Sequence, residues 1–189
     1  TMFTIVLFIV LLTLSAAAQI PDTRNNDTSP TVPPARGARQ AIRFEHISIE
    51  QGLSQSTIHC ILQDREGFMW FGTQDGLNKY DGYRFKVYKS DIEDPYSLSS
   101  NIISSLYEDR AGDLWIGTRG GLDRFDRKTE RFYPYQYNPD DPRSLSNNVV
   151  TAIYEDQRGA LWIGTFGGGL NRFDRNTEQF QHYRHDPDV

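Results

Sequence analysis

Residues Leu106 to Asp126 read Leu106-Tyr107-Glu108-Asp109-Arg110-Ala111-Gly112-Asp113-Leu114-Trp115-Ile116-Gly117-Thr118-Arg119-Gly120-Gly121-Leu122-Asp123-Arg124-Phe125-Asp126. An apolar run stops at an acidic residue, and a short turn closes on glycine. A second run carries the tryptophan, and a third begins after a glycine pair. Asp109 and Gly112 occupy the first and fourth positions of a type I turn, where glycine is free to take positive φ. The two-residue period of a strand puts Trp115 and Gly117 on one face, with Leu114, Ile116 and Thr118 on the other.

Working outward, the phrase recurs. The tryptophans Trp70, Trp115 and Trp162 are spaced by 45 and 47 residues. Gly72, Gly117 and Gly164 follow them at the same offset, and the turn aspartates Asp64, Asp109 and Asp156 precede them. A Phe-x-x-Tyr element closes each copy at Phe85, Phe132 and Phe180. Each repeat therefore holds four short strands, A to D. Pro134 lies in strand D of the second copy, and proline cannot donate to a ladder, so D is the sheet edge. In strand C the leucine and the aromatic are three apart, which suggests a bulge there. Four antiparallel strands at this period are the arithmetic of a β-propeller blade. The expected fold is all-β: three four-stranded blades, at about residues 52–90, 97–137 and 144–185, belonging to a larger ring. Residues 42–189 form this partial propeller, and the chain stops inside the lead-in to a fourth repeat.

The first 18 residues read differently. Met2 to Leu14 is almost wholly apolar and is followed by Ala16-Ala17-Ala18. That run is short for a membrane span, and the small residues suit a cleavage site, so residues 1–18 are expected to be an export signal peptide. The chain begins with Thr1, and no Lys or Arg precedes the apolar run, as in an N-terminus that has lost its first residues. Residues 19–41 hold four of the nine prolines among polar residues and are expected to form a disordered linker. The chain has 20 Lys and Arg against 25 Asp and Glu, with no basic block, which argues against a nucleic-acid surface. One cysteine excludes an intrachain disulfide framework.

The pattern over Leu106 to Asp126 and the opening Phe44-Glu45-His46-Ile47-Ser48-Ile49-Glu50-Gln51-Gly52-Leu53-Ser54 together resemble the two-component regulator propeller repeat. The resemblance covers about residues 44–188. It implies the periplasmic sensor region of a membrane-bound bacterial receptor, present here as its N-terminal part. In that family the repeats build seven-bladed propellers followed by a β-sandwich, a membrane helix and a cytoplasmic output module. The output is most often a histidine kinase and sometimes a diguanylate cyclase. The resemblance also implies an exported, periplasmic location on an inner-membrane protein and a homodimeric full-length receptor. The partners it implies are the remaining blades and C-terminal domains, with carbohydrate or another small molecule as ligand. Two other readings stand beside it: an exported interaction scaffold and a polysaccharide-acting enzyme.

No catalytic residue, metal ligand or cofactor is read from these residues. Asp64, Asp109 and Asp156 recur once per repeat in a turn, which makes them structural. Trp70, Trp115 and Trp162 are read as blade-to-blade packing. His59 and Cys60 invite a nucleophile, but they align with Ser104-Ser105 and Thr151-Ala152, so the position asks only for a small residue. With strand A innermost, the B–C and D–A connections share one face of the ring. Gln74, Arg119 and Phe166 follow the Gly-Thr of each repeat and differ while their neighbours do not. With Asp75 they are the candidate ligand-binding residues.

Overall fold

Turn chemistry divides each repeat into four short antiparallel strands. The computed structural model describes residues 46–184. The first blade is β1 (Ile58–Gln63), β2 (Met69–Thr73), β3 (Leu77–Tyr80) and β4 (Phe85–Tyr88). The second is β5 (Ile103–Glu108), β6 (Leu114–Thr118), β7 (Leu122–Asp126) and β8 (Arg131–Tyr135). The third is β9 (Val150–Glu155), β10 (Leu161–Thr165), β11 (Gly169–Asp174) and β12 (Gln179–Tyr183). In each sheet the spatial order follows the chain order. A single 3-10 turn, Ile49–Gln51, precedes them, capped by Ser48. The export signal and linker expected over residues 1–41 lie outside the described residues.

The A–B turns close as the Asp-x-x-Gly spacing requires. The Gly112 N–H donates to the Asp109 carbonyl at 3.0 Å, with Gly112 at φ 95°. Strands A are innermost, since β1 lies against β5 and β5 against β9. Strands D are outermost, and Pro134 sits on such an edge, opposite Asp123. In blades two and three the lead-in to the blade's own strand A crosses this edge: Phe132 N–H donates to Tyr96 O, and Phe180 N–H to Arg143 O, both at 2.8 Å.

Strand C carries no bulge. β7 pairs without interruption from Leu122 to Asp126, and the irregularity lies instead where strand A meets strand B, between Ile103 and Ser105 and at the matching places in the other blades. The three-residue spacing of Leu122 and Phe125 has another cause. The middle blade is covered on both sides, so the two residues point to opposite faces. Phe125 joins Trp70, Leu77, Leu98, Ile103, Leu114 and Ile116 against blade one. Leu122 joins Trp115, Leu145, Val150, Leu161, Ile163 and Phe173 against blade three. The core is thus two inter-blade layers.

The glycine two residues after each tryptophan makes room for the next blade. A Cβ on Gly117 would lie 2.6 Å from Val150 Cγ1 of blade three and would also collide with Ser105 Oγ. A Cβ on Gly72 would lie 2.5 Å from Cys60 Sγ and 2.6 Å from Ile103 Cγ2. This explains the small residue at Cys60, Ser105 and Ala152: it faces the glycine across the A–B pair. Gly117→Ala is expected to cost about 1–3 kcal/mol through overpacking. The denaturant midpoint should fall and recover in part when Val150→Ala is added; no recovery would show that the clash with Val150 is not the cause.

Candidate functional site

The recurring aspartate does more than close its turn. Asp109 Oδ1 accepts from the Asp113 N–H at 2.9 Å, and Oδ2 accepts from Trp115 Nε1 at 2.8 Å. Asp64 and Asp156 hold Trp70 and Trp162 in the same way, at 2.8 and 2.9 Å. An arginine from the next blade then reaches the same oxygen. Arg127 Nη1 lies 2.7 Å from Asp64 Oδ2 and its Nη2 2.8 Å from Glu108, while Arg175 Nη1 lies 2.7 Å from Asp109 Oδ2. Glu108 also accepts from the backbone N–H of Arg65, and Glu155 from that of Arg110. Burial would raise the Asp64 and Asp109 carboxyls, but bonds from arginine, indole and backbone N–H outweigh it and hold both below the usual range.

A second tie joins the outer strands. Glu130 and Glu178, both at φ 54°, accept from the hydroxyls of Tyr88 and Tyr135 at 3.1 Å. Blade one has no such groups to offer on its other side. Gln63 stands where Glu108 and Glu155 stand, Gly82 where Arg127 and Arg175 stand, and the C–D turn is too short to carry the glutamate.

A third repeated network pins the D–A lead-in to the B–C turn. Ser54, Ser99 and Ser146 hydroxyls lie 2.8–3.0 Å from Thr73, Thr118 and Thr165. Their N–H groups donate to Asn78, Asp123 and Asn171 on strand C. None of these residues was expected from the sequence to matter. Their signal is the Leu-Ser of each lead-in, at Leu53-Ser54, Leu98-Ser99 and Leu145-Ser146.

The candidate ligand residues sit on the rim that these networks build. Arg119 N–H donates to Ile102 O and Phe166 N–H to Val149 O, which ties the B–C turns of blades two and three to their lead-ins. Gln74, Arg119 and Phe166 are exposed and occupy matching places in successive blades, but no contact joins their side chains. Phe166 is 73% exposed. Gln74 Nε2 lies 3.4 Å from His59 Nε2, and Asp75 is paired with Lys89 at 2.7 Å. Open grooves of about 260–360 Å³ lie elsewhere, beside the C–D turns, as around Arg124, Asp126 and Tyr133. They recur from blade to blade and are architectural. Burial pushes the Cys60 thiol up to about 12, against a smaller opposing bond from the Gly72 backbone, which disfavours its thiolate. Among the described residues no group of three or more His, Cys, Asp or Glu could hold a metal.

Stacked four-stranded blades, each locked to the next by an aspartate–arginine clamp, define a segment of a β-propeller. Residues 52–75, 97–120 and 144–167 match the family described as "Two component regulator propeller", so the three blades are repeats of that family. Over 55 residues the chain is 47% identical to histidine kinase P4 of Formosa agariphila, a match spanning 29% of this chain and 4% of that protein. The extracellular domain of a hybrid two-component system of B. thetaiotaomicron superposes with a TM-score of 0.69 at 39% identity, over 74% of this chain and 20% of that one. A second such domain from that organism gives 0.58 at 31% identity, over 67% and 19%. The chain therefore spans about a fifth of these solved domains and a small part of the curated relative. Among the described residues no helix is long and apolar enough to cross a membrane.

Proposed function

We propose that this chain is part of the periplasmic sensor region of a membrane-bound two-component receptor with histidine kinase output. The observation that carries the reading is the division of labour within each repeat. Asp, Trp and Gly are engaged in holding blades together, and the Ser–Thr–Asn/Asp set in fastening each lead-in to its own blade. The residue after Gly-Thr is left exposed and differs at Gln74, Arg119 and Phe166. A cation, an amide and an aromatic on one rim suit a polar ligand with flat apolar faces, and a carbohydrate has both. The export signal read over residues 1–18 and the linker over residues 19–41 fit this placement. A ligand that prefers one arrangement of the receptor dimer would shift kinase activity by population.

The test is made in the full-length receptor in membranes. The triple variant Gln74→Ala, Arg119→Ala, Phe166→Ala should fold with unchanged thermal stability. It should lose at least ten-fold in sensitivity of autophosphorylation to the carbohydrate that activates the wild type. An unchanged dose response would remove the rim from recognition, and no kinase activity under any condition would remove the receptor reading.

A further inference from the structure

The Ser–Thr–strand C network carries asparagine in blades one and three but aspartate in blade two, and hydroxyl protons can be counted there. In blade one Asn78 Nδ2 donates to Ser54 Oγ at 2.8 Å, Ser54 Oγ lies 3.0 Å from Thr73 Oγ1, and Thr73 Oγ1 donates to Gly76 O at 2.9 Å. Each hydroxyl has one proton. With the threonine proton on the glycine carbonyl, the serine proton must point to the threonine. The serine then receives from the asparagine amide.

Blade two reproduces the oxygen positions. Thr118 Oγ1 lies 2.9 Å from Gly121 O, Ser99 Oγ 2.8 Å from Thr118 Oγ1, and Ser99 Oγ 2.7 Å from Asp123 Oδ2. If the first two contacts keep their direction, only a proton on Asp123 can supply the third. The surroundings agree. Asp123 is fully buried, and its other accepted bond comes from the Ser99 N–H. Strand B presents Ile116 opposite it, strand D presents Pro134, and the lead-in presents Leu98 and Ser99. In the layer facing blade one, the titratable members are Tyr88 and Cys60. Burial pushes both upward, so both stay neutral at physiological pH, and the Tyr88 hydroxyl is turned to Glu130. Among the described residues no Lys, Arg or His forms a salt bridge with Asp123.

We propose that Asp123 is carried as the neutral acid in the folded blade and that its ionisation works a proton switch at the rim. As a carboxylate it takes the Ser99 proton. Ser99 must then receive from Thr118, and the Gly121 carbonyl, two residues beyond Arg119, loses the Thr118 hydroxyl. Protonation restores the direction that the Asn78 amide of blade one holds permanently. The inference is independent of which ligand, if any, binds the rim.

Burial, only partly offset by the Ser99 bonds, lifts the folded carboxyl to about 7 from an unfolded value near 3.8. A raised carboxylate stabilises the fold below the unfolded value, and that contribution is lost as pH rises towards the folded value. The window is therefore about pH 4 to 7, level above it. Hydrogen exchange of the full-length protein reads this locally, with blades one and three as internal controls. After correction for intrinsic rates, amides of Ser99 to Asp123 should lose about ten-fold in protection per pH unit between pH 5 and 7, relative to the matching amides of the asparagine blades. Asp123→Asn should abolish the difference. A second blade that tracks the other two in wild type would overturn the proposal, as would a pH dependence that persists in Asp123→Asn. If that variant fails to fold, the wild-type comparison decides alone.

Discussion

Asp109→Ala is expected to destabilise the protein by about 3–5 kcal/mol, the cost of breaking a buried ion pair from one side. The carboxylate is 1% exposed and serves three donors on three elements: the Asp113 N–H of its own turn, the Trp115 indole and the Arg175 guanidinium of the next blade. Alanine leaves all three without that acceptor and places Arg175 beside a vacant corner. Asp109→Asn should cost less, since its amide oxygen can still accept from the indole. The pH dependence has a defined sign. The folded carboxyl is lowered, so its contribution is present above the unfolded value of about 3.8 and lost as pH falls through the folded one. Urea unfolding of wild type and Asp109→Asn at pH 7 and pH 3 checks this. The gap between them should narrow on acidification, and a constant gap would mean that charge at Asp109 contributes nothing.

The fold was legible because the repeat states it three times. Turn glycines, strand period and Pro134 on the edge together specify blade, strand order and which strand lies outside. The tryptophan packing between blades was legible, but the polar ties between them were not, for physical reasons. Arg127 stands 63 residues from Asp64 and belongs to a different copy. Blade one carries Gly82 at that place, so the arginine does not recur in every repeat as the aspartate does. The three-residue spacing in strand C suggested a bulge, whereas Leu122 and Phe125 point to opposite faces of a middle blade that is buried on both. Asp123 was visible in principle as one departure from Asn78 and Asn171. Its meaning depends on the Ser99 and Thr118 hydroxyls, which only the folded backbone brings beside it. On the rim, sequence places Gln74, Arg119 and Phe166 on one side of the sheets. It does not reveal that Asp75 is already engaged by Lys89.

Trp115→Ala should be as costly as the loss of Asp109, about 3–5 kcal/mol. The indole is fully buried and meets Phe173 edge-on with centroids 5.3 Å apart, Tyr135 at 5.9 Å, and the Asp109 carboxylate through Nε1. Trp162 has the same bond to Asp156 and a similar contact with Tyr183, yet it is only half-buried. Leu170 and Tyr183 beside it are 40% and 43% exposed. Within this 189-residue chain, Trp162→Ala should therefore cost distinctly less than Trp115→Ala, because less area leaves water. The difference is a measure of what the next blade contributes. In full-length protein, where a further repeat would supply an aromatic to Trp162 and an arginine to Asp156, the two substitutions should converge. Thermal unfolding of both variants in both contexts gives the four numbers. If Trp162→Ala stays mild in full-length protein, blade three ends the stack and the ring is not continued by a blade of this kind.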